Sequence, residues 1–273
     1  MPSVHAGDVR LNYEQHGSGP EQLVFIHGWT SSLRNWAEIV PLLPARYTAT
    51  LFDLRGAGGS DKPDTGYSPK VYAADIDEAT RALGIDTFTL IGHSMGGLTA
   101  MQFAVDFPAR LRSLVLVAPA PSEGLQGDPV YMDRMRGMRG NREVRRKMAH
   151  AFAPRPLPAE TVERRIDDDL LWPEAAWLEA WNGMREIRLG DALGRLTVPT
   201  LMIAGDRDML LPFNVADAAR IPNCGLQVFY RAGHDIQGDV PEQFVAVLDD
   251  FVQNGVSTVT PEDRMRMVLE LSE

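Results

Sequence analysis

Short apolar runs recur along this chain, and helical patterns fill most of the gaps between them. Gln22-Leu23-Val24-Phe25-Ile26 is one such run, and residues 48–52, 88–91, 114–117, 200–203 and 226–230 repeat the pattern. A near-continuous apolar run of this length marks a strand covered on both faces. The spacing between runs predicts helices over 33–43, 69–83, 97–107, 215–220 and 241–252. Alternation of this kind requires parallel crossovers, so the sequence predicts an α/β fold with a mostly parallel central sheet flanked by helices. Residues 9–15 add an early strand, and Gly7-Asp8 supplies the turn of a hairpin with the first residues. Ser68 before Pro69 reads as an N-cap with proline at the first helical position.

The alternation stops between about 122 and 196, where no strand pattern occurs. That stretch holds Met132, Met135 and Met138 at helical spacing, then a basic run over 142–147. Pro154-Arg155-Pro156-Leu157-Pro158, the acidic triplet Asp167-Asp168-Asp169, and Trp172, Trp177 and Trp181 follow. We expect a helical cap over 122–196, inserted into a core domain made of 1–121 and 197–273. Trp177, Trp181 and Met184 fall on one helical face. This stripe either packs the cap onto the sheet or supplies apolar walls to a substrate pocket. Near the end, Thr260-Pro261-Glu262-Asp263 is a helix start with its acids placed against the dipole. The following Met265, Met267, Val268 and Leu271 would dock on the domain or on a second subunit of a homodimer.

Composition narrows the class of partner. A net charge of −10 over 273 residues argues against nucleic acid or an anionic membrane surface. The 44% hydrophobic and 23% charged content is that of a globular chain large enough to bury a substantial core. A single cysteine, Cys224, excludes an internal disulfide and fits a reducing compartment. The first residues carry neither a basic nor an apolar leader segment, and no run reaches the length of a membrane span. A cytoplasmic protein without a membrane or nucleic-acid partner is the expectation.

The chemistry concentrates at Gly92-His93-Ser94-Met95-Gly96-Gly97, which links the strand over 88–91 to the helix that follows. A strand that becomes a helix in so few residues passes through a tight, strained turn, and small residues two before and two after the apex let the backbones approach. Ser94 would then stand at the tip of the sheet with free helix N–H groups behind it. A serine hydroxyl needs a base to take its proton, and the base needs a third group to orient it. Among the histidines, His5 and His16 lie in the N-terminal strands, His150 lies in the cap, and His27 and His93 precede glycines at strand ends. His234, in Arg231-Ala232-Gly233-His234 just past the last strand, is placed to reach Ser94 from the carboxyl edge of the sheet. Asp208, after the strand over 200–203, is the expected acid. Asp206 reads instead as a turn residue, and Glu123 is the other site for the acid. Two backbone N–H groups must face the developing oxyanion, and Met95 and Trp29 are the candidates. Trp29 either adds its indole to a pocket wall or lies buried under the cap.

The motifs His27-Gly28-Trp29, Asp53 through Pro63, the Ser94 turn, Gly205 through Asp208, and Gly233-His234 with Asp239 and Pro241-Glu242 behind it occur in this order. In that order the chain resembles the cap-bearing α/β-hydrolases over nearly its whole length. The resemblance implies that the loop from Asp53 to Pro63 is structural. Epoxide hydrolases and haloalkane dehalogenases of the family carry aspartate where this chain has Ser94, so an alkyl-enzyme ester is not expected. The turn and the aromatic after His27-Gly28 resemble the esterase, lactonase and cofactor-free perhydrolase branch. The expected activity is hydrolysis of a small, largely apolar carboxylic ester or lactone, with no metal or organic cofactor. A carbon–carbon bond hydrolase or lyase using the same residues, or a ligand receptor that retains them, are the alternatives.

Overall fold

A computed structural model of the protein describes residues 2–125, 133, 135–137, 139–256 and 266. Met132, Met138 and the C-terminal segment with Met265, Met267, Val268 and Leu271 lie outside the described residues. Eight strands form one sheet: β1 Ser3–Ala6, β2 Val9–His16, β3 Glu21–Ile26, β4 Tyr47–Phe52, β5 Phe88–His93, β6 Leu111–Val117, β7 Thr200–Gly205 and β8 Cys224–Phe229. Their order is β1-β2-β4-β3-β5-β6-β7-β8. The pairs β1·β2 and β2·β4 are antiparallel and all others are parallel. Strands β4, β5 and β7 are buried along their whole length, as strands covered on both faces are.

Alternate strand residues face opposite ways, which creates two cores. Val24, Ile26, Leu90, Leu114, Leu116 and Met202 pack toward helices α1 (Pro69–Ala82) and α2 (Met95–Asp106). Phe25, Ile91, Val115, Val117 and Ile203 pack on the other face against Trp36, Phe244, Leu248 and Phe251. Ser68 accepts from the Val71 N–H and caps α1, as read from the sequence.

Between β6 and β7 the described residues contain helices and no strand: α3 Arg142–Phe152, α4 Ala159–Leu170, α5 Glu174–Glu186 and α6 Gly190–Leu193. After β7 come α7 Leu211–Arg220, α8 Ile236–Asp239 and α9 Pro241–Asn254. None of the helices is long and apolar enough to cross a membrane, among the described residues.

One predicted element differs. Residues 33–43 form no α-helix but two 3-10 turns, Leu33–Trp36 and Val40–Leu42. Pro41 has no N–H to give a continuous helix, and it sits instead in the first turn of the second segment, where no N–H is needed. The first turn is capped by Ser32 and anchored by Trp36, buried on Phe25 with ring centroids 5.1 Å apart.

Candidate active site

The chain runs from β3 to β4 on one side and then returns to place β5 on the other side of β3. Ligand sites of open α/β sheets form at such a reversal, beyond the carboxyl ends of the strands. Ile26 of β3 pairs with Gly92 of β5, so the loop over 27–30 and the turn at Ser94 leave the sheet side by side. A methyl group on Gly28 would lie 3.1 Å from Ser94 Cβ.

Ser94 sits at φ 55°, ψ −116°, a conformation that L-residues rarely adopt. The surrounding glycines make it reachable. A Cβ on Gly92 would run into the Gly96 carbonyl, and one on Gly96 would meet the carbonyl oxygens of Ile26 and His27. Strain of this kind persists only where the surroundings hold it, here through Ser94 N–H to the Val117 carbonyl (2.9 Å) and Ala120 N–H to the Ser94 carbonyl (3.0 Å).

His234 and Asp208 arrive from the ends of β8 and β7. His234 Nε2 lies 2.9 Å from Ser94 Oγ, and His234 Nδ1 lies 2.9 Å from Asp208 Oδ2. Asp208 is further fixed by the Leu210 N–H, which donates to its Oδ1 at 3.0 Å. Burial pulls the His234 imidazolium down, but the hydrogen bond and charge of Asp208 outweigh it and hold His234 above its ordinary value. Burial pushes Asp208 up, and the His234 contact outweighs that, so its carboxyl lies below the usual range. The electrostatics favour an ionised Asp208 donating order to a basic imidazole.

The remaining candidates separate cleanly. Asp206 accepts from the Ala232 N–H at 3.3 Å, a loop contact of the kind expected for a turn residue. Glu123 pairs with Arg220 at 3.2 Å, and among the described residues no hydrogen bond or ion pair joins it to His234. His27 contacts the Gly28 carbonyl through Nδ1 (2.8 Å) and accepts from the Leu54 N–H through Nε2 (3.1 Å), bracing its loop. His93 contacts the His234 carbonyl through Nε2 at 2.9 Å and stacks on the His234 ring, centroids 4.8 Å apart. Burial and the neighbouring His234 pull His93 down to about 4, so it stays neutral. His5 and His150 are exposed, and His16 pairs with Glu14 at 3.1 Å. Burial pushes the Cys224 thiol up to about 11, which keeps it protonated near neutral pH.

Met95 opens α2, so its N–H has no acceptor one turn back, and Trp29 follows Gly28 beside Ser94. Among the described residues neither N–H donates a hydrogen bond. The Trp29 indole stacks on Trp177 and Trp181 at 4.8 and 5.1 Å and donates through Nε1 to the Trp177 carbonyl at 3.0 Å. Trp177 is fully buried. These tryptophans tie α5 to the sheet, together with Trp172, whose Nε1 donates to the Ser31 carbonyl at 2.8 Å.

A cavity of about 210 Å³ opens on His234, and none of Trp29, Trp177 and Trp181 lines it. Its walls come instead from Thr30, from Met148, Ala149 and Arg145 of α3, from Arg165, Ile166 and Asp169 of α4, and from Asp235 and Asp239. Ser94 stands one hydrogen bond behind His234. The wall is mixed: Met148, Ala149, Ala153, Pro154 and Ile166 are apolar, while Arg145, Arg165, Asp169, Asp235 and Asp239 are ionic. Their sequence signal was the pairing of a basic run with a later acidic triplet.

A strained serine at the sheet reversal, with a histidine and an aspartate delivered by the last strands, defines a class. A sequence model described as the alpha/beta hydrolase fold matches residues 22–241, and the chain belongs to that family. A 2-hydroxy-6-oxononadienedioate/2-hydroxy-6-oxononatrienedioate hydrolase of Dechloromonas aromatica is 29% identical, over 90% of this chain and 91% of the relative. Among solved structures, the esterase EaEST of Exiguobacterium antarcticum superposes with a TM-score of 0.81 at 25% identity, covering 92% of this chain and 99% of the other. Est816, described as an N-acyl homoserine lactone degrading enzyme, gives 0.79 at 25% identity, covering 92% and 100%.

Proposed function

We propose that the protein is a serine hydrolase that cleaves a carboxylic ester or lactone through an acyl-enzyme. The hydrogen-bonded line Ser94–His234–Asp208, with both distances at 2.9 Å, carries this reading. His234 Nε2 takes the Ser94 Oγ proton as the oxygen attacks the carbonyl carbon, and Asp208 holds the ring so that Nε2 faces Ser94. The carbonyl π pair moves onto oxygen, where the Trp29 and Met95 N–H groups meet the charge. Collapse of the tetrahedral species expels the alcohol, which receives the proton from His234. Water then repeats the sequence with His234 as base and releases the acid. Residues 122–196 act as a cap over this site and 1–121 with 197–273 as the core.

The esterase and lactone-degrading neighbours support acyl chemistry, while the Dechloromonas relative favours a second reading, carbon–carbon bond hydrolysis by the same three side chains. Stopped-flow hydrolysis of p-nitrophenyl acetate, butyrate and octanoate tests the first reading beside Ser94→Ala. Steady turnover that disappears in Ser94→Ala is the expected result. A vinylogous diketone turned over faster than all three esters would replace it with the second reading. A single burst without turnover would point to a receptor instead.

A further inference from the structure

His93 is a buried titratable side chain that the acyl-transfer steps leave unused. It ends β5 one residue before Ser94 and pairs with Val117 of β6, so the sheet fixes its backbone. Only 3% of it is exposed. Its ring reaches both of the other segments that build the site. Nε2 lies 2.9 Å from the His234 carbonyl oxygen, and the two rings pack at a tilt with centroids 4.8 Å apart. Nδ1 lies 3.2 Å from Nδ2 of Asn35, in the 3-10 turn that follows the loop of Trp29.

These partners dictate the tautomer. A carbonyl only accepts, so Nε2 carries the proton, and the neutral ring keeps a lone pair at Nδ1. Asn35 donates its amide N–H to that lone pair. Neutrality matters too, because a cation packed on His234 would oppose the imidazolium formed in each proton transfer. Burial, with the neighbouring His234, keeps His93 uncharged at the pH where His234 works.

Asp208 orients the His234 ring, but His234 itself lies in the irregular stretch between β8 and α8. Donation from His93 ties that stretch to the strand that carries the nucleophile. We propose that His93, held in one tautomer by Asn35, is a positioning residue that sets the distance between Ser94 Oγ and His234 Nε2. It acts through His234 and not on the substrate. Its effect on rate rests on the serine-hydrolase reading; its hold on His234 does not.

Three variants separate the parts of this device. His93→Phe keeps a ring against His234 and loses the donor. His93→Gln loses the ring and keeps an N–H that reaches the same carbonyl. Asn35→Leu leaves His93 in place and removes the group that fixes its tautomer. With p-nitrophenyl butyrate on the alkaline plateau, His93→Phe should lower kcat by about 10- to 100-fold, the loss that a misplacement of about 1 Å brings. KM should stay level, since acylation and deacylation both depend on His234. His93→Gln should recover most of the lost kcat, and Asn35→Leu should fall between Phe and wild type. Proton–nitrogen NMR correlation of the His234 ring follows its position without any chemistry. The Nδ1–H signal held by Asp208 should shift or broaden in His93→Phe and Asn35→Leu and stay in place in His93→Gln. Equal kcat losses in Phe and Gln that track their melting temperatures would reduce His93 to packing and overturn the proposal. An unchanged kcat and an unmoved His234 signal in His93→Phe would overturn it as well. If His93→Phe fails to fold, the same null result in Asn35→Leu overturns it. Turnover that persists in Ser94→Ala would instead overturn the hydrolase reading, and the His234 signal would still decide the role of His93.

Discussion

The state of one proton governs the site. His234 must be neutral to accept from Ser94, and Asp208 holds its imidazolium above the ordinary histidine value of 6.5. kcat/KM should therefore rise with pH along an acid limb centred above 6.5 and level off once His234 has lost its proton. Asp208→Asn removes the carboxylate charge and keeps the burial that opposes the imidazolium. The limb should move to lower pH while the plateau falls by about 10⁴-fold, because an amide does not enforce the tautomer with Nε2 free. A kcat/KM profile for p-nitrophenyl butyrate between pH 5 and 9 reads both effects. An unmoved limb would mean that another group titrates. Ser94 itself was legible in the sequence because its turn needs small residues at fixed offsets, and His234 because it alone among the histidines follows the last strand.

At the scale of the element, the turn between β5 and α2 stores strain at Ser94. Ser94→Ala keeps a Cβ at positive φ, while Ser94→Gly removes it. Thermal unfolding should find the glycine variant more stable than the alanine variant by about 1 kcal/mol, with the greater chain entropy of glycine already subtracted. Equal melting temperatures would show that the turn is unstrained. The helices between β6 and β7 are held down by another element-scale device, the indole of Trp172 on the Ser31 carbonyl. Trp172→Phe should lower stability to urea by about 1–3 kcal/mol, from the lost hydrogen bond and the space left by the smaller ring. An unchanged midpoint would remove Trp172 from that role. Elements differ in how far sequence reveals them. Strands buried on both faces announce themselves as apolar runs, and Ser68-Pro69 marks a helix start by itself. Residues 33–43 carried a helical apolar pattern, but Pro41 and the fit of Trp36 against Phe25 divided them into two short turns. The cavity wall was the least legible part. Arg142 reaches Asp167 at 2.7 Å on the outside of α3 and α4 while Arg145 meets Asp169 within. Which charges of the two runs face inward depends on how two helices pack, a contact no local pattern encodes.

For the molecule as a whole, the net charge of −10 acts on every approaching ligand. A surface of one dominant sign lowers the local concentration of ligands of that sign, and salt relieves the effect as the Debye length shrinks from about 30 Å at 0.01 M to about 8 Å at 0.15 M. The wall of the cavity repeats the sign of the whole, with Asp169, Asp235 and Asp239 beside only two arginines. Far field and near field therefore work in the same direction. kcat/KM for an ester bearing a free carboxylate, such as the monoethyl ester of glutaric acid, should rise when salt goes from 0.01 to 0.15 M. That for ethyl pentanoate, of similar length and no charge, should stay level. At 0.15 M the anionic ester should still be the slower substrate, since screening reaches the surface charges far better than those beside His234. Steady-state rates at three salt concentrations decide it. Parallel salt responses would show that the net charge is too dispersed to matter at this mouth, and an anionic ester that overtook the neutral one would show that Arg145 and Arg165, not the aspartates, set the potential of the cavity.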